Sequence, residues 1–210
     1  ELDVSPELQP IDAAYYMSLI GVLRWIVELG RVDVCLECSM LSSHLALPRE
    51  GHLYQLFQVF AYLKKYHNTE MIYEDPSDPV INESAFELKD WTSSEFGHVQ
   101  GEEELPPNMP EPRGQGFVIS ATVDAYQAAD TVTRRSRTGF CVFLNCALVY
   151  WLSKKQTSCE SSSFGSEFVA MKQCCEYLRG LRYKLRMMGI PCDGPAYIYG
   201  DNQSVLASCG

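Results

Sequence analysis

Gly116-Phe-Val-Ile-Ser-Ala-Thr-Val123, followed by Asp124, reads as a buried strand that delivers an acid at its end. Two more apolar runs, Gly139-Phe-Cys-Val-Phe-Leu144 and Ala147-Leu-Val-Tyr-Trp-Leu152, flank Asn145-Cys146 and predict a hairpin. The period then changes. Phe168, Val169, Met171, Cys175, Leu178, Leu181 and Leu185 recur at helical spacing, which predicts a long helix over Ser166–Met188 stopped by Gly189 and Pro191. A fourth strand, Ala196-Tyr-Ile-Tyr199, leads to Asp201, and a further helix is expected from about Ser204. Three strands, a helix, a strand and a helix make an α/β unit with a mixed sheet.

Upstream the pattern is helical. Ala13–Leu29 carries apolar residues at three-to-four spacing, with Asp12 as the expected N-cap and Gly30 as the stop. A second helix is expected over Val32–Leu45, before Pro48. A third runs from Pro48 through Leu63, its Leu56, Phe57, Phe60 and Leu63 on one face and Lys64 and Lys65 at the negative end of the dipole. Tyr54, Phe57, Phe60 and Tyr62 are assigned to the core on this spacing, as are Trp25 and Trp151. Residues 74–113 are acidic and rich in Pro and turn formers, which predicts a linker with one short helix around Glu83–Trp91. The expected division is therefore 1–73, 74–113 and 114–210.

Composition excludes several classes. With 210 residues, 46% hydrophobic and 21% charged, the chain has the apolar content of a globular protein, not of a disordered one. The longest apolar runs fall short of the ~20 residues of a spanning helix. Glu1, Asp3 and Glu7 do not form the basic start of a secretory signal. The net charge of −10 is uneven: residues 1–113 hold 7 basic and 20 acidic residues, residues 114–210 hold 10 and 7. A polyanion-binding surface is thus expected in the second part. Nine cysteines, an odd number inside apolar runs, fit a reducing compartment, cytosol or nucleus. Cys35-Leu-Glu-Cys38 lacks a second pair at zinc spacing and reads as two core positions one turn apart.

Three acids stand at the ends of elements: Asp124 after the first strand, Glu167 at the start of the long helix and Asp201 after the fourth strand. Sheets of this class build sites at such ends. Clustered carboxylates repel one another and need a cation between them, and hard oxygen ligands select Mg²⁺ or Mn²⁺. The other reading is that these acids are turn formers and dipole partners. Glu160, ahead of the helix, is the rival to Glu167. All four histidines lie in the first part, against a Ser–His–Asp arrangement around the Ser158–Ser163 stretch, which reads as a polar turn.

Four ordered motifs carry a resemblance. Val123-Asp-Ala-Tyr-Gln-Ala-Ala-Asp130 with Thr133-Arg-Arg-Ser-Arg-Thr-Gly-Phe140 resembles the opening of the ribonuclease H domain of copia-type retrotransposon polyproteins. Trp151-Leu-Ser-Lys-Lys-Gln156, Phe164-Gly-Ser-Glu-Phe-Val-Ala170 and Tyr197-Ile-Tyr-Gly-Asp-Asn-Gln-Ser204 are similar to its later motifs, the second of which places Glu167 on a motif glutamate. Tyr15–Trp25, Arg31-Val-Asp-Val34 and Ala61-Tyr-Leu-Lys-Lys65 are similar to the thumb and connection at the end of the reverse transcriptase. The resemblance covers nearly the whole chain. It implies an incomplete ribonuclease H-like mixed sheet preceded by a mainly helical thumb/connection segment. Two departures stand out: no polymerase Tyr-x-Asp-Asp occurs, and the fourth metal-binding acid of the family has no counterpart in this stretch.

The activity so implied is hydrolysis of the RNA strand of an RNA–DNA hybrid, with Asp124, Glu167 and Asp201 holding two Mg²⁺ or Mn²⁺ ions. Implied partners are the hybrid and the rest of the Pol polyprotein, with no membrane. Arg134, Arg135 and Arg137 after the first strand, and Lys154 and Lys155 after the third, are candidates for gripping backbone phosphates, or else form a solvated hairpin. Arg179, Arg182, Lys184 and Arg186 are assigned a structural role near the end of the long helix. With one acid short, whether the chain is an enzyme stays open. The alternative is a non-catalytic, retrotransposon-derived module that binds nucleic acid or protein.

Overall fold

The computed structural model describes residues 3–73, 81, 86, 105–192 and 194–209. It is an α/β structure: three helices come first, then a four-stranded sheet with two helices. The helices are α1 (Pro10–Glu28), α2 (Cys35–Ser42), α3 (Glu50–Lys65), α4 (Ser163–Met187) and α5 (Gln203–Cys209). The strands are β1 (Ile119–Tyr126), β2 (Arg137–Leu144), β3 (Ala147–Lys155) and β4 (Ala196–Tyr199), in the order β3-β2-β1-β4. β1–β2 and β2–β3 are antiparallel and β1–β4 is parallel, so the sheet is mixed. The short helix expected at Glu83–Trp91 falls almost wholly outside the described residues.

Two hydrophobic cores form among the described residues. One packs α4 on one face of the sheet: Ala121, Val123 and Ala125 of β1 and Phe140 and Val142 of β2 meet Ala170, Met171, Cys174 and Leu178 of α4. The alternation along β1 is that of a strand with one buried face, with Thr122, Asp124 and Tyr126 turned outward. The other core joins α1, α2 and α3 through Tyr16, Ile20, Leu23, Val27, Cys38, Leu41 and Leu56, and Trp151 of β3 packs against it. α2 lies on β3, so the helical layer covers part of the sheet face that α4 leaves open. The Ser39 hydroxyl donates to the Ser153 carbonyl at 2.6 Å across this junction.

Several expectations are corrected. α1 begins at Pro10, whose fixed φ suits the first helical position, so Asp12 lies in the first turn and Gln9 is the cap residue. The second helix breaks into a 3₁₀ turn at Val32–Val34 followed by α2. Trp25 is 65% exposed, because the stripe Tyr16, Ile20, Leu23 and Val27 takes the inner face of α1 and leaves residue 25 on the outer one. Tyr54, Phe57 and Tyr62 are exposed for the same reason, with Leu56 and Leu63 turned inward from α3. Cys35 and Cys38 do sit in the helical core, one partly and one fully buried, and burial raises both thiols, Cys35 to about 11. No helix among the described residues is long and apolar enough to cross a membrane.

Candidate metal centre

The parallel pairing of β1 and β4 sets the site. Its register ends with Thr122 opposite Tyr199, so Asp124 and Asp201 both stand two positions past the last parallel pair. They therefore emerge side by side at one end of the sheet. Asp124 does not follow its strand, as the apolar run suggested. β1 continues to Tyr126 because β2 still pairs with it, Asp124 facing Gly139, after β4 has ended. Asp201 follows β4 after Gly200, and the next residue, Asn202, turns the chain into α5 by accepting the amides of Ser204 and Val205.

Glu167 comes from α4. Ser162 caps that helix, its hydroxyl accepting the Gly165 amide at 3.2 Å, so the helix starts at Ser163 and Glu167 lies in its second turn, not its first. The end of α4 is tied down by a residue not singled out for a role from the sequence. Gln156 is 1% exposed, and its Nε2 donates to Thr138 Oγ1 of β2 at 3.1 Å and to the carbonyl of Ser166 at 2.9 Å. It thus links the sheet to the residue preceding Glu167. The available signal was its place at the end of the Trp151–Gln156 motif.

One oxygen from each of Asp124, Glu167 and Asp201 lies within 4.8 Å of the others. Asp124 and Asp201 are exposed and Glu167 is half-buried. Burial, then the neighbouring Asp124 and Asp201 carboxylates, push the Glu167 acid up to about 7. Among the described residues no Lys or Arg forms an ion pair with any of the three. Three close carboxylates without a protein cation are a set of hard oxygen donors, which fits Mg²⁺ or Mn²⁺. Glu160 does not join this group.

The basic candidates scatter. Asp130 organises the loop after β1: its Oδ1 accepts the amides of Thr133 and Val132, and its Oδ2 takes Lys155 Nζ at 2.9 Å. The Thr133 amide, then Lys155 and the Val132 amide, hold its carboxyl far below the usual range. Arg134, at φ +58°, and Arg135 are exposed on this loop. Lys154 is exposed too, but it and Lys155 lie within β3, not after it. Arg137 departs most: it is 5% exposed within β2 and donates to the hydroxyls of Ser39 and Ser43, not placed on the exposed loop with Arg134 and Arg135. On α4, Arg182 and Arg186 pin the carbonyl of Cys192, and Arg182 that of Gly194, which is a structural role.

No protein-family model matches the chain, and no solved structure does. Among curated proteins, the "Uncharacterized mitochondrial protein AtMg00810" of Arabidopsis thaliana is 42% identical over 53 residues, 25% of this chain and 22% of that protein. The "Retrovirus-related Pol polyprotein from transposon RE2" and its RE1 counterpart, both of Arabidopsis thaliana, are each 23% identical over 198 residues. These two matches cover 94% of this chain but only 11% of either polyprotein. The similarity to these retrotransposon Pol polyproteins runs through nearly the whole chain, in keeping with the ordered motifs of copia type.

Proposed function

We propose that β1–α5 is a ribonuclease H-like unit of retrotransposon origin that hydrolyses the RNA strand of an RNA–DNA hybrid, and that α1–α3 correspond to the thumb and connection of a reverse transcriptase. The observation that carries this reading is the meeting of Asp124, Glu167 and Asp201 within 4.8 Å at one end of a mixed sheet. Their spacing in sequence is wide, so their convergence is a product of the fold alone.

Asp124, Glu167 and Asp201 would hold Mg²⁺ or Mn²⁺, two ions in the reading drawn from the motifs. Bound there, the ions supply neutralisation of the phosphodiester charge and activation of water. The rest falls to the chain itself. Gln156 and Thr138 fix the start of α4 and so aim Glu167. The exposed Arg134, Arg135 and Lys154 offer sequence-independent contacts to backbone phosphates. A hybrid is read through its shape and 2′-hydroxyls, so no base-reading side chain is required.

The test is cleavage of a labelled RNA–DNA hybrid by the chain with Mg²⁺ or Mn²⁺, and its loss in Asp124→Asn. Cleavage that persists in this variant refutes the assignment of the site. Hybrid binding without cleavage in either protein would replace the nuclease by the non-catalytic module.

A further inference from the structure

A cavity of about 440 Å³ lies between the helical layer and β2–β3, within the ~300–1,000 Å³ typical of small-ligand sites. Among the described residues that line it, the cations are Arg24, Arg137, Lys154 and Lys155, and the one carboxylate is Glu28. This local excess of positive charge sits in a chain of net charge −10.

Arg137 is the centre of the argument. Its guanidinium stays charged in a protein, yet it is 5% exposed. Its Nη1 and Nη2 donate to the hydroxyls of Ser39 and Ser43, and its Nε has no acceptor among the described residues. Arg24 Nε likewise donates to the Ser42 hydroxyl, at 3.3 Å. Those serines give their own protons to backbone carbonyls, Ser39 to Ser153, Ser42 to Cys38 and Ser43 to Ser39. They therefore present lone pairs to the cations but no negative charge. Asp130, the acid that reaches Arg137 electrostatically, is already held by Lys155 and two amides. A desolvated guanidinium with only neutral partners is costly unless an anion completes it.

We infer that this cavity binds a phosphate group, with Arg24 and Lys154 at its exposed rim and Arg137 on its buried wall. Several cations around one small space suit an anion with more than one charge and several oxygens better than a lone carboxylate. The site draws residues from both the helical layer and the sheet, so occupancy would brace the junction. The phosphate has two candidate sources: a free phosphate or phosphomonoester, and the backbone of a nucleic acid. The inference shares Lys154 with the reading above but does not need the carboxylate cluster.

The experiment is thermal unfolding and calorimetric titration of the whole chain with inorganic phosphate, in EDTA, against chloride at matched ionic strength. Phosphate should stabilise the protein saturably and chloride should not. Arg24→Ala and Lys154→Ala, both at exposed positions, should each weaken phosphate binding about tenfold, as expected for a lost charge-assisted bond. Glu28→Gln should tighten it severalfold by removing the acidic side chain among the described lining residues, a response that a purely structural role for the cations would not give. No preference for phosphate over chloride, or equal affinities in all four proteins, overturns the inference. Displacement of phosphate by an RNA–DNA hybrid or a DNA duplex assigns the site to backbone phosphate, and saturable binding without displacement assigns it to a free phosphate. EDTA keeps the outcome separate from the nuclease reading, which would fail or stand on the cleavage assay alone.

Discussion

Neutralising one member of the carboxylate cluster should stabilise the protein in the absence of divalent ions and remove its response to them. The perturbation is Asp124→Asn, which keeps an oxygen for the Ala125 amide that Asp124 Oδ1 accepts at 2.7 Å. Each pair of charges at the 4.8 Å limit of the cluster repels by about 0.9 kcal/mol in water and about 3.5 kcal/mol at an effective dielectric of 20. Asp124 takes part in two such pairs, and its exposure places it toward the aqueous limit, so the relief is about 2–3 kcal/mol. For a chain of this size that is a rise in midpoint of roughly 4–12 °C. The assay is thermal unfolding in EDTA at about pH 8, where the Glu167 acid, pushed up to about 7, is mostly ionised. Added Mg²⁺ at about a hundred times its dissociation constant should then stabilise the wild type by about 2.7 kcal/mol and the variant far less. The variant's lead in EDTA should therefore largely vanish on adding the cation. An Asp124→Asn protein that is no more stable in EDTA, and gains as much from Mg²⁺ as the wild type, refutes the cluster as a cation site.

The sign of the pH dependence follows from the same crowding. Glu167 binds its proton more tightly folded than unfolded, so the cation-free protein should lose stability as pH rises from below the ordinary glutamate value through about 7, and Glu167→Gln should flatten that fall in unfolding measured across the range. Gln156→Leu leaves the Ser166 carbonyl and Thr138 hydroxyl without their donor, and denaturant unfolding should show a loss of about 2–3 kcal/mol; under the proposed nuclease reading, hybrid cleavage should fall further than stability explains, because Glu167 loses its anchor. Tyr16 is fully buried and donates to the Leu41 carbonyl at 2.8 Å, with burial pushing its phenol up to about 12. Its contribution is complete below the ordinary tyrosine value near 10 and is lost as pH rises toward 12, so the wild type should shed roughly 3 kcal/mol more than Tyr16→Phe over that interval. Finally, Trp25→Ser should change stability by less than about 0.5 kcal/mol, whereas Leu23→Ala, from the buried stripe two residues away, should cost about 2–5 kcal/mol.

The residues most readable from the sequence were those whose position and burial obey one local rule. Ala196–Tyr199 is a short apolar run that forms β4 at those bounds, and Asp201 lies just past it. The long periodic stretch of α4 was legible for the same reason, although its start moved to Ser163 once the Ser162 cap was seen. Aromatic residues were misread where periodicity alone had to choose a face. Phe57 and Trp25 are as hydrophobic as their buried neighbours, and only the docking of α1, α2 and α3 decides that Leu56 and Leu23 face inward.

The sequence by itself determined the order of strands and helices, the pairing of the hairpin and the identity of three acids, because local periodicity, turn chemistry and ordered motifs are properties of neighbouring residues. The tertiary structure alone decided that Asp124 lies within its strand, since β2 still pairs beyond the end of β4. It also decided that Arg137 is a buried residue at a junction with serines 94 and 98 positions away, and that three carboxylates meet within 4.8 Å. These are contacts between segments remote along the chain, set by parallel register and by the layer that covers each sheet face, and no local pattern encodes them.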